Sequence, residues 1–330
     1  MAIHSAGYRS WEGERSSPWT RWAVIASTGV RRTSKSKWLR RMLFFSILPT
    51  LFFAVPFFLS EQALRDPATA RSVGNFLSEV TNNPAIAEIP WQALGNAPPE
   101  QIESVRHDIW SNLLLTLLRY PQALMMVLVV GIAAPPLISH DVRSRALLIY
   151  FSRPISRLEY LLGKLGTVSF FLAMITTVPA LMLYFVGVLL SPSLGVVAQT
   201  WDLPLRILVA SAVLILPTTS AALMFSSLTR ESRYAGFAWF AVWILGWVMH
   251  SVVMAFQLDA ATSDAEALAA LESGWTTLLS PYHILGAVQA SVFDLASDKQ
   301  PVMAATTALV ITTIVSLAVL SRQVSSPLRA

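Results

Sequence analysis

The sequence predicts an all-α integral membrane protein with six transmembrane helices and both termini in the cytoplasm. Three observations carry that prediction. Of 330 residues, 54% are hydrophobic and only 13% charged, where ordinary soluble domains carry about 25% charged residues; mean hydropathy is +0.56. Six stretches have the roughly 20 apolar residues that a helix rising 1.5 Å per residue needs to cross a bilayer. Basic residues alternate in density between the loops, which is the signal that orients membrane chains.

The six stretches are Leu39–Ser60, Leu113–Ser139, Leu161–Leu190, Leu205–Leu228, Ala235–Gln257 and Val302–Ser321. The third is longer than a bilayer is thick, so it tilts or projects into water. With the N-terminus inside, 18 of the 24 Lys and Arg residues lie on the cytoplasmic side and 14 of the 19 Asp and Glu residues on the other. Only the basic bias orients the chain, and the acidic bias agrees with it.

About 40 mostly polar and basic residues precede the first stretch, which is not the pattern of a cleavable signal peptide. Met1–Ser17 reads as disordered. The residues that follow mix Trp19, Trp22, Val24, Ile25 and Val30 with Arg21, Arg31, Arg32, Lys35 and Lys37. That mixture suits an amphipathic helix in the cytoplasmic membrane interface, with a disordered basic tail as the alternative. Residues 1–38 therefore form a tail and interfacial helix, and 39–330 the six-span domain. Two outer segments are too long for turns. Residues 61–112 carry Pro67, Pro84, Pro90, Pro98 and Pro99, and read as short helices broken by proline. Residues 258–301 contain an amphipathic stretch, DAATSDAEALAALESG, and then SPYHILGAVQASVFD, apolar enough to lie on or dip into the outer leaflet.

Several chemistries have no residues to carry them. Cysteine is absent, which removes disulfides, thiolate nucleophiles and Cys-ligated metals. The one Gly-Lys pair, Gly163–Lys164, is followed by Leu165 and not by the Ser or Thr of a P-loop. His4, His107, His140, His250 and His283 form no metal-spaced pair, and no G-x-S-x-G elbow occurs. No acidic residue lies well inside a span, where ion-coupled transporters place theirs. Arg119 is the one intramembrane charge; it either snorkels outward as a structural residue or contacts substrate. Trp239, Trp243 and Trp247 share one helix face, as packing bulk or as a wall for an apolar substrate. Prolines 49, 56, 121, 135, 136, 179 and 217 bend the spans.

The most informative segment is DVRSRALLIYFSRPISRLEYLLGK, Asp141 to Lys164. It sets five basic residues, Arg143, Arg145, Arg153, Arg157 and Lys164, against Asp141 and Glu159, between two apolar runs. Arg153, Pro154, Ser156, Arg157, Tyr160, Gly163 and Lys164 follow the order R-P-x-S-R-x-x-Y-x-x-G-K. This pattern resembles the signature of permeases of the type-2 ABC exporter family, and the basic pre-span region, six spans and long outer loop before the last span agree with it. The bland reading of the same residues is ordinary positive-inside anchoring.

The resemblance implies two permease chains, identical or not, above two cytoplasmic ABC ATPase subunits. It also implies that ATP and magnesium bind only in the ATPases, so that this chain is not an enzyme. It places the protein in the cytoplasmic (inner) cell membrane, among lipid; the clustering of the basic residues beside apolar spans is what argues against nucleic acid. Residues 139–157 become the coupling segment, with a coupling helix over Ser139–Phe151 whose Asp141, Arg143 and Arg145 touch the ATPase. Thr229–Tyr234, with Arg230, Glu231 and Arg233, becomes a second contact. Arg153 and Arg157 hold the coupling helix to the base of the third span or to lipid phosphate, Pro154 sets the turn, and Lys164 completes the motif. Rival readings are an ATPase-independent secondary transporter or channel, a membrane enzyme, and an anchor or sensor that moves no solute. Substrate is unspecified; a path without midplane charge favours lipids, hydrophobic drugs, peptides or polymers over small ions.

Overall fold

The computed structural model describes residues 20–65, 67–91, 94, 97–152, 155–191, 193–260, 274–296 and 301–325. Among these residues it is all helical, and six helices are long and apolar enough to cross a membrane. They are Lys37–Ala63, Pro99–Arg143, Arg157–Leu190, Leu203–Leu228, Ser232–Asp259 and Val302–Ser325, so each expected stretch is recovered, extended at one end or both. An even number of crossings puts both ends of the array on one side, the terminal face; the other side is the distal face. Met1–Ser17, Arg153, Pro154 and most of the predicted DAATSDAEALAALESG helix lie outside the described residues.

Prolines and hydroxyl caps account for most boundaries. Helix α1 (Arg21–Thr33) precedes α2 (Lys37–Phe45), which Ser36 caps by accepting from Leu39 N; α3 (Leu48–Ala63) completes the first span. Beyond it, α4 (Pro67–Thr81) and α5 (Pro99–Leu117) both begin on proline, whose fixed φ suits the first helical position and whose missing N–H costs nothing there. Among its described residues the proline-broken outer segment thus contains two helices and, between them, the 3-10 turn Pro84–Ile86. The second span continues through a π-helical turn, Leu118–Gln122, into α6 (Ala123–Ala133) and α7 (Pro135–Arg143). Pro121 lies in the π turn and has no N–H for the carbonyl of Leu117, so the backbone widens locally.

Residues 139–151 do not form the single helix expected over Ser139–Phe151. Ser139–Arg143 is the last turn of α7, continuous with the second span. The chain then reverses through Arg145 in the left-handed region (φ 54°) and begins a separate short helix, α8 (Ala146–Phe151). The third span divides at Thr176 into α9 (Arg157–Ile175) and α10 (Thr177–Leu190), because Pro179 cannot donate to the carbonyl of Ile175. After α11 (Val196–Gln199), α12 (Leu203–Leu228) is the fourth span and α13 (Ser232–Ala260) contains the fifth. The 3-10 turn Trp275–Leu279 leads into α14 (Pro281–Val292), and α15 (Val302–Ser325) is the sixth span.

The fourth span is the hub, packing on α7, α9, α10, α13, α14 and α15. Two apolar cores flank it. The distal core joins Phe53, Phe57, Leu77, Trp110, Tyr184 and Leu203, so α4 folds back onto the spans and does not stand in water. The other, toward the terminal face, joins Leu39, Val130, Tyr160, Leu223, Trp239 and Leu320. Helix α14 does not lie on the membrane surface: Leu285 to Ala290 are buried, and it packs between α12, α13 and α15. Gly246 of the fifth span meets its first residue, since a Cβ there would fall 2.7 Å from Pro281 Cδ. Its far end returns to the distal face, where Asp294 pairs with Arg206 at the start of α12. Helix α14 is therefore re-entrant, with its N-terminus at depth. The tryptophan face is divided: Trp239 and Trp243 are buried and Trp239 Nε1 donates to the Val127 carbonyl at 2.9 Å, while Trp247 points outward.

Candidate functional site

The signature residues converge at the terminal face. Ser156 and Glu159 start α9 with a capping box: Ser156 Oγ accepts from Glu159 N, and Ser156 N donates to the Glu159 carboxylate. That start sets the register of Tyr160 and Lys164, which at i and i+4 point the same way. Both reach Asp141 on α7. Lys164 Nζ lies 2.7 Å from Asp141 Oδ2, and Tyr160 donates its hydroxyl to the same oxygen at 2.8 Å. Lys164 also donates to the Leu137 carbonyl at 2.7 Å, so it meets a backbone carbonyl and a carboxylate of α7 together. The pair is nearly water-free, with side-chain exposures of 14% for Lys164 and 7% for Asp141. A buried carboxylate survives only when paired and hydrogen-bonded in this way.

The rings of Tyr150 and Phe151 on α8 lie 5.8 and 5.9 Å from that of Tyr160, and Leu147 is buried beneath them. This seats α8 on the base of the third span. Its outer side presents Leu148 and Ile149, 46% and 62% exposed, next to the exposed Arg143 and Arg145. The two apolar residues escaped sequence reasoning, which attended to the charges; the signal available was ALLIYF, too apolar for a loop facing water.

The other expected residues are placed as follows. Arg143 pairs with Glu231 at 3.3 Å and so joins the two terminal-face loops. Ser226 ties the same region more firmly: its Oγ donates to the Pro135 carbonyl at 2.6 Å and accepts from the N–H groups of Ile138 and Ser139. Arg157 donates to Ser325 at the end of the sixth span. Arg233 lies over the ring of its neighbour Tyr234, and Arg230 and Arg145 are exposed. Between α1 and this cluster opens a cavity of about 480 Å³, with Arg32, His140, Asp141, Tyr150 and Lys164 among its lining residues. Burial, and then the charge of Asp141, push the pKa of the Tyr150 hydroxyl above its ordinary value, against the opposing pull of Arg32.

Sequence reasoning missed the long-range pairing at the distal end. Glu61 pairs with Arg106 at 2.9 Å, and Arg106 reaches Gln199. Asp202 takes both His107 at 3.0 Å and Arg206 at 2.6 Å. Apart from Asp202 and Arg206, which stand at i and i+4, these join residues more than 40 positions apart, which no local spacing reveals. Arg119 neither snorkels to the surface nor finds a carboxylate among the described residues. Its guanidinium lies flat on Gly286, where a Cβ would meet Nε at 3.0 Å, between the rings of Tyr120 and Tyr282, each 5.9 Å away. Cation–π contact contributes about 0.5–2 kcal/mol, less than the roughly 2.5–3.5 kcal/mol that insertion scales assign to Arg at a span's centre.

A family model described as "ABC-2 family transporter protein" matches residues 23–322. No curated protein matches the chain. No solved structure matches it either.

Proposed function

Because the chain belongs to the ABC-2 family of transporter proteins and is a multi-pass membrane component of an ABC-type transporter, we propose that it is the permease through which a separate cytoplasmic ATPase drives export. The terminal face is then cytoplasmic, in line with the basic bias of the loops. The observation that carries the reading is α8: a short helix with an exposed apolar and basic surface, Leu148, Ile149, Arg143 and Arg145, whose other side is fixed to the third span through Tyr160. A push on α8 acts on the Asp141–Lys164 junction, and so on the second and third spans together. ATP and magnesium belong to the ATPase, and a second permease chain completes the pathway. Energy passes only if the permease conformations favour different ATPase states.

Pull-down of the tagged chain from mild detergent, followed by mass spectrometry, tests this. The expected result is a stoichiometric soluble protein carrying a P-loop. A chain that purifies alone, under conditions that preserve a known ABC complex, overturns the reading in favour of an autonomous transporter.

A further inference from the structure

The deep end of α14 gathers polar atoms that have no hydrogen-bond partner among the described residues. Ser280, the residue before the helix, is fully buried, yet its Oγ has no hydrogen-bond partner among the described residues and caps none of the helix's N–H groups. The Nδ1 of His283 and the Nε of Arg119 are likewise buried and unpartnered. His283 stacks on His250 of the fifth span, ring centres 3.5 Å apart, and His250 in turn uses its Nδ1 on the Thr276 carbonyl. Arg119 forms no ion pair among the described residues and rests on Gly286, one turn beyond Tyr282. The first N–H groups of a helix are unsatisfied and carry the positive end of its dipole. Positive dipole, guanidinium and two imidazoles thus meet within the apolar array, with no acidic residue among their described contacts.

We propose that the N-terminus of α14, with Arg119, His250 and His283, is a binding site for one phosphoryl anion, the head of an amphiphile or a free phosphate. A helix N-terminus takes phosphate through backbone N–H groups, and arginine matches its oxygens with a planar fork. Broken helices that end at depth are where membrane proteins hold such charges. The π turn at Leu118–Gln122 contains Arg119, the residue that meets Gly286, and such turns recur at functional sites. The proposal stands apart from ATPase coupling and holds or fails without it.

The chain has no cysteine, so a single one at Ser251→Cys, beside His250, takes an environment-sensitive fluorophore. The full chain in zwitterionic nanodiscs is titrated with dihexanoyl phosphatidic acid, with dihexanoyl phosphatidylcholine and with inorganic phosphate. The expected result is a saturable response to phosphatidic acid, with the midpoint raised tenfold or more by Arg119→Gln. Should that variant not fold, Gly286→Ala keeps the charge and thrusts a methyl against the guanidinium, with the same expected loss. A response to inorganic phosphate alone assigns the site to a free anion, and one confined to phosphatidic acid assigns it to a lipid head. Equal curves for phosphatidic acid and phosphatidylcholine, or midpoints unchanged in both variants, overturn the proposal.

Discussion

Gly163 lies directly against Ile25: a Cβ on the glycine would sit 2.5 Å from Ile25 Cγ2 and 3.1 Å from the Trp22 carbonyl. The signature glycine is thus the seat of α1 on the third span. Gly29 repeats the arrangement, where a Cβ would fall 2.3 Å from Thr167 Oγ1. Gly163→Val forces the two helices apart, and overpacking of this kind costs about 1–3 kcal/mol. The variant is expected to unfold at lower temperature in detergent, and Ile25→Ala in the same chain to recover most of the loss. Absence of recovery would show that the glycine serves something other than this contact.

Lys164 and Asp141 make the strongest case for a structural role within the signature. Removing one partner of a buried pair leaves a bare charge and costs about 3–5 kcal/mol. Lys164→Met and Asp141→Leu are each expected to lower stability strongly. The double variant Lys164→Met, Asp141→Leu loses less than the sum, because no orphan charge remains. Additive losses in denaturant melts would mean that the two residues do not depend on each other.

Much of this was legible in the sequence, for identifiable reasons. Apolar runs dictated the spans because a bilayer leaves no other way to satisfy the backbone. Pro67 and Pro99 marked helix starts in the outer segment. The order Arg157, Tyr160, Lys164 singled out the second–third junction. The break at Arg145 was hidden, since an arginine at positive φ has no sequence mark comparable to glycine's. The depth of α14 was hidden too: PYHILGAVQASV reads alike on a surface or among spans. The pairings of Glu61 with Arg106 and of His250 with His283 are set by tertiary packing alone.

Asp202 makes the distal end sensitive to acid. Burial tends to raise its pKa, but the hydrogen bonds and charges of His107 and Arg206 outweigh it, and the pKa falls below the ordinary 3.8. A carboxylate depressed in the folded state contributes stability that is fully present above the unfolded value and is lost as pH drops through the folded one. Asp202→Asn is therefore expected to melt below wild type at pH 7, with the gap closing as the pH is taken below about 3.8. Melting curves at pH 7 and pH 3 decide it; a gap of equal size at both would remove the ionised carboxylate as the cause.

Arg143 and Arg145 separate docking from folding. Both are exposed, and the Arg143–Glu231 pair, with side chains 62% and 40% in contact with water, belongs to a class worth only about 0–1 kcal/mol. Arg143→Glu with Arg145→Glu is thus expected to leave the melting temperature nearly unchanged. Ile149→Asp places a charge on the exposed rim of α8 while Leu147, the residue that anchors the helix, stays buried. If α8 is the docking surface, each variant lowers retention of the ATPase, and ATP-driven transport in reconstituted vesicles, on the order of tenfold or more, as central interface residues do. Thermal melts, co-purification and transport are read on the same preparations. Intact melting with lost retention places the ATPase on α8. Normal transport in both variants removes α8 from the coupling path and leaves Thr229–Tyr234 as the surface to test.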